Sequence, residues 1–180
     1  MIPKTNPFPF LLLAIILCIS GCGNTERIDP EAIKFFQNGM ALIDSEDYDN
    51  AIQAFNRALD ISPDFADAYE KRGMIWYYKR DFDKASKDYQ KALEINPENV
   101  GAYNDFGVIH NDNGNYLEAR ECFDKALELD PGLISAYSNR AVSWKNLGAV
   151  DQAITDHDRT NAFEKIALRT EYDADPGWLG

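Results

Sequence analysis

The sequence predicts an all-α solenoid of four antiparallel helix pairs, the last of them degenerate, on three observations. Pro63, Pro97 and Pro131 recur at one fixed interval, each after an alanine-rich amphipathic segment. Aligning on those prolines superimposes Gly39, Gly73 and Gly107, then Ala51, Ala85 and Ala119, then Ala58, Ala92 and Ala126. The same alignment places the aromatic residues Phe55, Tyr89 and Phe123 in one column and Phe35, Tyr69 and Tyr103 in another. A fixed period of this kind is the signature of a stacked-unit architecture, in which each unit buries its apolar face only against its neighbours.

Taken in chain order, the first helix begins at Asp29-Pro30-Glu31. Asp29 suits the N-cap, Pro30 the first helical position and Glu31 the positive helix end. Each unit then turns between its two helices at Glu46-Asp47-Tyr48, Arg80-Asp81-Phe82 and Gly114-Asn115-Tyr116. Glycine inside a helix costs about 1 kcal/mol relative to alanine, so Gly39, Gly73 and Gly107 imply the close approach of a second helix. Ala51, Ala85 and Ala119 offer the matching small surface, and Phe55, Tyr89 and Phe123 fill the space between neighbouring pairs. Each proline ends its unit, because it cannot continue the preceding helix. The fourth unit, residues 134–167, keeps Tyr137 and Ala153 but replaces the glycine by Ala141, the aromatic by His157, the last alanine by Thr160 and the proline by Lys165. This decay fits a polar terminal cap, and without the proline the last helix is expected to run to about Arg169. The solenoid is thus assigned to residues 30–170 and a C-terminal tail to residues 171–180, where Trp178 and Leu179 either dock on the body or fray.

These features resemble the tetratricopeptide repeat (TPR) family, whose unit is a pair of antiparallel helices with small residues at the crossing and an aromatic in the second helix. The resemblance implies a right-handed superhelical solenoid with a concave groove lined by the first helix of every unit.

Composition agrees with a folded single domain. Of 180 residues, 45% are hydrophobic and 27% charged, near the globular average. A formal charge of −12 excludes nucleic acid as the expected partner, since the basic residues are interspersed with acids rather than gathered in a stripe.

The N-terminus reads as an address. Lys4 precedes an apolar run from Phe8 to Ile19, broken only by Pro9. A membrane-spanning helix needs about 20 residues, more than this run supplies, so residues 1–21 are expected to be a cleaved signal peptide. Ile19-Ser20-Gly21-Cys22 resembles the lipobox of bacterial lipoproteins, which implies lipidation of Cys22 and a tether over residues 22–29. At about 3.4 Å per residue, Gly23 to Ile28 reach roughly 20 Å, which keeps the first unit near the bilayer. Removing residues 1–21 takes only Lys4 from the charged set, leaving a body more acidic than the precursor, so acyl chains rather than protein surface hold it at the membrane. In such lipoproteins aspartate after the cysteine favours the inner membrane, and Gly23 in its place implies the periplasmic face of the outer membrane in a Gram-negative cell.

Catalytic parts are lacking. With Cys18 removed and Cys22 acylated, Cys122 is a lone helical thiol with no base near it in sequence. His110 and His157 occupy columns filled elsewhere by packing residues. No His-Glu-x-x-His, Cys-x-x-Cys, Walker loop or Gly-x-Ser-x-Gly is present, so no enzyme activity, metal site or cofactor is expected.

The functional candidate is the groove. Its expected lining is Met40 from the first unit; Glu70, Met74, Tyr77 and Tyr78 from the second; Asn104, Val108 and Asn111 from the third; and Asn139, Val142 and Lys145 from the fourth. Methionine and aromatic side chains offer adaptable apolar contacts, and the three asparagines can hydrogen-bond an extended peptide backbone. The chaperone-binding members of the family grip an acidic C-terminus with lysine, asparagine and arginine. Here Phe36 and Met40 stand in place of the first two, and Asp67, Glu70 and Asp112 would repel such a tail. The expectation is a membrane-tethered extracytoplasmic adaptor that binds a protein or peptide of the cell envelope, as do the TPR lipoproteins that escort secretins or recruit cell-wall hydrolases and proteases. The alternative is a self-assembling scaffold in which the fourth unit and Trp178-Leu179 cap a symmetric homodimer and no ligand enters the groove.

Overall fold

In a computed structural model the described residues are 28–174, with side chains described through Phe163. They form eight helices and no strand: α1 (Pro30–Asp44), α2 (Tyr48–Ile61), α3 (Ala66–Tyr78), α4 (Phe82–Ile95), α5 (Val100–Asp112), α6 (Tyr116–Leu129), α7 (Ile134–Asn146) and α8 (Val150–Ala174). The expected signal peptide over residues 1–21, Cys22 and the Trp178-Leu179 tip lie outside the described residues.

Helix starts follow the sequence. Asp29 caps α1 by accepting from the Glu31 N–H at 2.7 Å, with Pro30 in the first turn. Asp47 and Asp81 cap α2 and α4, accepting from Asn50 N–H at 3.4 Å and Lys84 N–H at 3.2 Å. Asn99 does the same for α5 through Ala102 N–H at 2.9 Å. Such caps satisfy backbone donors that the helix itself leaves unpaired.

Each helix pair is closed by the same turn. Glu46, Arg80, Gly114 and Gly148, successive members of one repeat column, all have positive φ, at 59°, 62°, 78° and 78°. In the first turn Glu46 N–H donates to Ile43 C=O and Asp47 N–H to Leu42 C=O, both at 2.9 Å. This pairing recurs in the other three units, and it caps the last carbonyls of the first helix in the Schellman manner.

Helices pair within units (α1 with α2, α3 with α4, α5 with α6, α7 with α8), and each second helix then packs on the first helix of the next unit. First helices α3, α5 and α7 also touch in succession, which creates a continuous face of first helices. The mid-helix glycines meet rings, a refinement of the expected alanine surface. A Cβ at Gly107 would lie 2.6 Å from Phe123, at Gly39 2.8 Å from Phe55, and at Gly73 3.1 Å from Tyr89. Phe55, Tyr89 and Phe123 are fully buried, so each ring seats on the glycine of its own unit.

A second period, twice the first, overlies it and relates Arg72 to Arg140 and Asp88 to Asp156. Arg72 clasps Asp88 through Nε at 2.8 Å and Nη2 at 2.6 Å, and reaches Asn56 of the preceding unit with Nη1 at 2.6 Å. Arg140 repeats this on Asp156, at 2.8 and 2.7 Å, and on Asp124, at 2.7 Å. Both guanidinium groups lie over a tyrosine of their own helix, Tyr69 at 5.3 Å and Tyr137 at 5.5 Å. Phe106 and Cys122 hold the corresponding positions in the third unit. Burial, with Glu121 and Glu118 adding, pushes the Cys122 thiol up to about 11, which leaves it protonated and unreactive at neutral pH.

The fourth unit departs from expectation twice. Lacking a proline at Lys165, α8 continues to Ala174, past Arg169 and into the segment assigned to the tail. Its outer face is apolar rather than a polar cap: Val142, Val150 and Ile154 are 49%, 57% and 55% exposed.

Candidate functional site

The residues that the sequence places along one groove fall into three groups in the structure. Met74, Tyr77, Tyr78 and Val108 come together with Tyr89 and Asp105 around a cavity of about 160 Å3 between α3 and α5. Tyr78 is 55% exposed, and its ring stacks on Tyr48 at 5.9 Å. Tyr77 is held edge-on to Tyr78 at 6.0 Å and donates its hydroxyl to Asp112 at 2.8 Å. Burial first, then Asp112, pushes the Tyr77 phenol up to about 12, so it stays a donor at neutral pH.

Asp105 forms the polar part of the cavity wall. It accepts from Asn104 Nδ2 at 3.0 Å and from the Tyr89 hydroxyl at 3.5 Å. Burial pushes its carboxyl above the usual carboxylate range; the Asn104 bond pulls back and the Glu70 charge adds to the rise. Tyr89 and Asp105 were missed at the sequence level. Tyr89 is a core column residue on a second helix, and Asp105 carries no periodic signal beyond its adjacency to Asn104.

The second group is committed to the fold. Met40 packs half-buried on the first core cluster. Glu70 is 8% exposed and paired with Lys71 at 2.7 Å; a Cβ on Gly101 would come within 2.7 Å of its carboxylate, so the missing side chain there makes its berth. The three asparagines form a ladder across units. Asn111 donates to the Asn139 carbonyl at 3.0 Å and accepts from the Ser143 hydroxyl at 2.8 Å, while Asn139 donates to Asn104 at 3.3 Å. These bonds tie α5 to α7, and the buried Ser143 depends on them.

Val142 and Lys145 form the third group. They line a different recess of about 480 Å3, with Ser138, Ala141, Val150, Ala153, Ile154 and His157, at the terminal face of the last unit. Val142 and Lys145 therefore do not share the central cavity with Met74, Tyr77, Tyr78 and Val108. Val150 and Ile154 were also missed; the available signal was an apolar pair on a helix with no following unit.

Among the described residues no three histidines, cysteines or acidic side chains cluster as metal ligands. Among the same residues no helix is long and apolar enough to cross a membrane. His110 lies against the Phe106 ring at 4.4 Å, and burial holds its pKa below the ordinary value, as a packing residue requires. The central cavity, walled by a methionine, a valine and three tyrosines and edged by Asp105, suits an apolar or cationic side chain and disfavours an acidic one.

Tetratricopeptide repeat profiles match residues 66–99 and 88–121, and a TPR repeat profile matches residues 39–79. No curated protein matches the sequence significantly. Solved structures share the fold. A crystal structure of MamA aligns with a TM-score of 0.70 at 21% identity, covering 78% of this chain and 83% of that one. The first TPR of Spaghetti (RPAP3), bound to an HSP90 peptide SRMEEVD, aligns at 0.65 and 21% identity, covering 68% and 98%. Pseudomonas aeruginosa pilF aligns at 0.69 and 20% identity, covering 75% and 62%.

Proposed function

We propose, from the premise that residues 39–121 carry tetratricopeptide repeats, that this protein is an adaptor tethered to a membrane through Cys22, outside the cytoplasm, and that it binds a segment of an envelope protein on its concave face. The observation that carries the reading is the cavity between α3 and α5, with Tyr78 more than half exposed at its mouth. An exposed tyrosine backed by Met74, Tyr77 and Val108 is a ready apolar anchor point, and aromatic anchors dominate the energetics of peptide recognition. The peptide-bound RPAP3 domain supports a peptide ligand for a fold of this kind. The charge differs: Asp105 lines this cavity and Asp112 is bonded to its Tyr77, so the segment it takes is apolar or basic where that peptide ends in acidic residues. Because the asparagine ladder is internally bonded, side-chain insertion rather than backbone capture supplies the affinity. Nothing in this role calls for a catalytic group or cofactor.

The test is photocrosslinking in cells from a probe at Tyr78, with a probe at exposed Glu121 on α6 as control. A protein adduct formed from Tyr78 and absent from Glu121 is expected; no adduct, or equal capture from both, overturns the reading. The tether is tested separately. Cys22→Ala is expected to abolish lipid labelling and leave uncleaved precursor, and unchanged labelling overturns the assignment.

A further inference from the structure

The two ends of the solenoid are built differently. At the first unit, the face that a preceding unit would cover carries Lys34 and Glu31, in the columns of the buried Ala68, Ala102 and Ala136 and of Phe65. A lysine in a slot shaped for a methyl group closes that end to stacking. At the last unit, the equivalent of the face on which α3, α5 and α7 each pack is uncovered, with Val142, Val150 and Ile154 about half exposed around the 480 Å3 recess. Such an apolar face calls for an occupant.

We infer that this face is the interface of a two-fold dimer, in which the α7–α8 pair of one copy packs on the same pair of a second copy. Head-to-tail stacking is blocked by Lys34. A two-fold contact is self-complementary in charge. With two α8 helices crossing antiparallel at Ile154, Asp151 of each copy falls opposite His157 of the other, because both lie three residues from the crossing point on the same helix face. Both side chains are exposed in the single chain, and His157 has Asn161 beside it at 2.9 Å. Lys145 at the rim of the recess meets the Asp158 end of the opposing helix. The contact continues the packing that already joins every unit to the next, so it requires no new kind of surface.

Sedimentation velocity on the full chain in mild detergent, under reducing conditions, is expected to show a dimer. Ile154→Glu sets two carboxylates against each other at the symmetry axis and is expected to give monomer with unchanged far-UV helicity. Asp151→Lys is expected to raise the dimer Kd about tenfold, and Asp151→Lys combined with His157→Glu to restore it. A monomer throughout up to about 100 µM, well above a working dimer Kd, overturns the inference, including the case in which a helix of another protein occupies the face. A dimer indifferent to Ile154→Glu also overturns it, as does a double variant no tighter than Asp151→Lys alone.

Discussion

Arg140 grips Asp156 side-on through the Nε–Nη2 edge of its guanidinium, at 2.8 and 2.7 Å, where Asp156 is nearly enclosed and, among the described residues, pairs with no other cation. The same arginine holds Asp124 of the unit before, so one side chain fastens three helices. Its counterpart Arg72 does so with Asp88 and Asn56. Truncating the arginine strands a buried carboxylate, which costs more than the pair contributes when intact. Arg140→Ala is expected to lower stability by about 3 kcal/mol in urea denaturation. Arg140→Lys is expected to recover less than half, since an ammonium cannot span two oxygens and a third partner. Lys125→Ala, which breaks only the exposed pair with Glu128, should stay within about 0.5 kcal/mol of the parent.

The four inter-helix turns predict opposite signs for opposite substitutions. Glu46 sits at φ 59° in the left-handed region, where its Cβ crowds the following carbonyl, while Gly148 sits at φ 78° with open space around its Cα. Glu46→Gly is expected to stabilise by about 0.5 to 1 kcal/mol, the relief of strain outweighing the lost chain stiffness. Gly148→Ala is expected to destabilise by about 1 kcal/mol despite the room available. Thermal unfolding of the two variants checks both; equal signs would mean the turns are not set by backbone conformation.

A third prediction concerns Gly107. Alanine there improves helix propensity by about 1 kcal/mol, yet its methyl would stand 2.6 Å from the buried Phe123 ring. Overpacking prevails: Gly107→Ala is expected to cost about 2 kcal/mol net, and Phe123→Leu in the same chain to return part of it. The fourth unit shows the outcome in the native sequence, where Ala141 replaces the glycine and His157, in the ring's column, is exposed.

These glycines also mark how far the sequence could be read. The repeat columns gave helix order, turns and the need for close approach, because a mid-helix glycine is costly unless something fills its place. They did not say what fills it. The ring comes from the second helix of the same unit, and the alanine column was an equally good partner on paper. The arginine clasps were hidden for a related reason: aligning one unit on the next averages them with Phe106 and Cys122, and the longer period shows in the Tyr-x-x-Arg spacing at Tyr69 and Tyr137 with Asp88 and Asp156. In the groove, the columns placed Asn104, Asn111 and Asn139 on first helices. Which amide bonds to which depends on the stagger between α5 and α7, and that stagger is a property of packing. The burial of Glu70 was not legible, because its berth is made by the absence of a side chain at Gly101, on another unit.

Asp105 supplies the last prediction. Its carboxyl is pushed above 3.8 in the folded chain, chiefly by burial, so folding favours the protonated form. A folded-state pKa above the unfolded one means that the native state binds more protons between the two values, and stability therefore falls as pH rises through that window. Above that window the buried charge of Asp105 costs stability. Asp105→Asn removes the charge while keeping an oxygen to accept from Asn104, so it is expected to raise the urea midpoint at pH 7. Below the unfolded value of about 3.8 both side chains are neutral and the gain should disappear. The same substitution should weaken capture of a basic segment at the central cavity while leaving an apolar one unchanged, since only the cationic ligand uses the carboxylate. A variant that is no more stable at pH 7 than the parent would show that the Asn104 and Tyr89 contacts fully offset the burial of the charge.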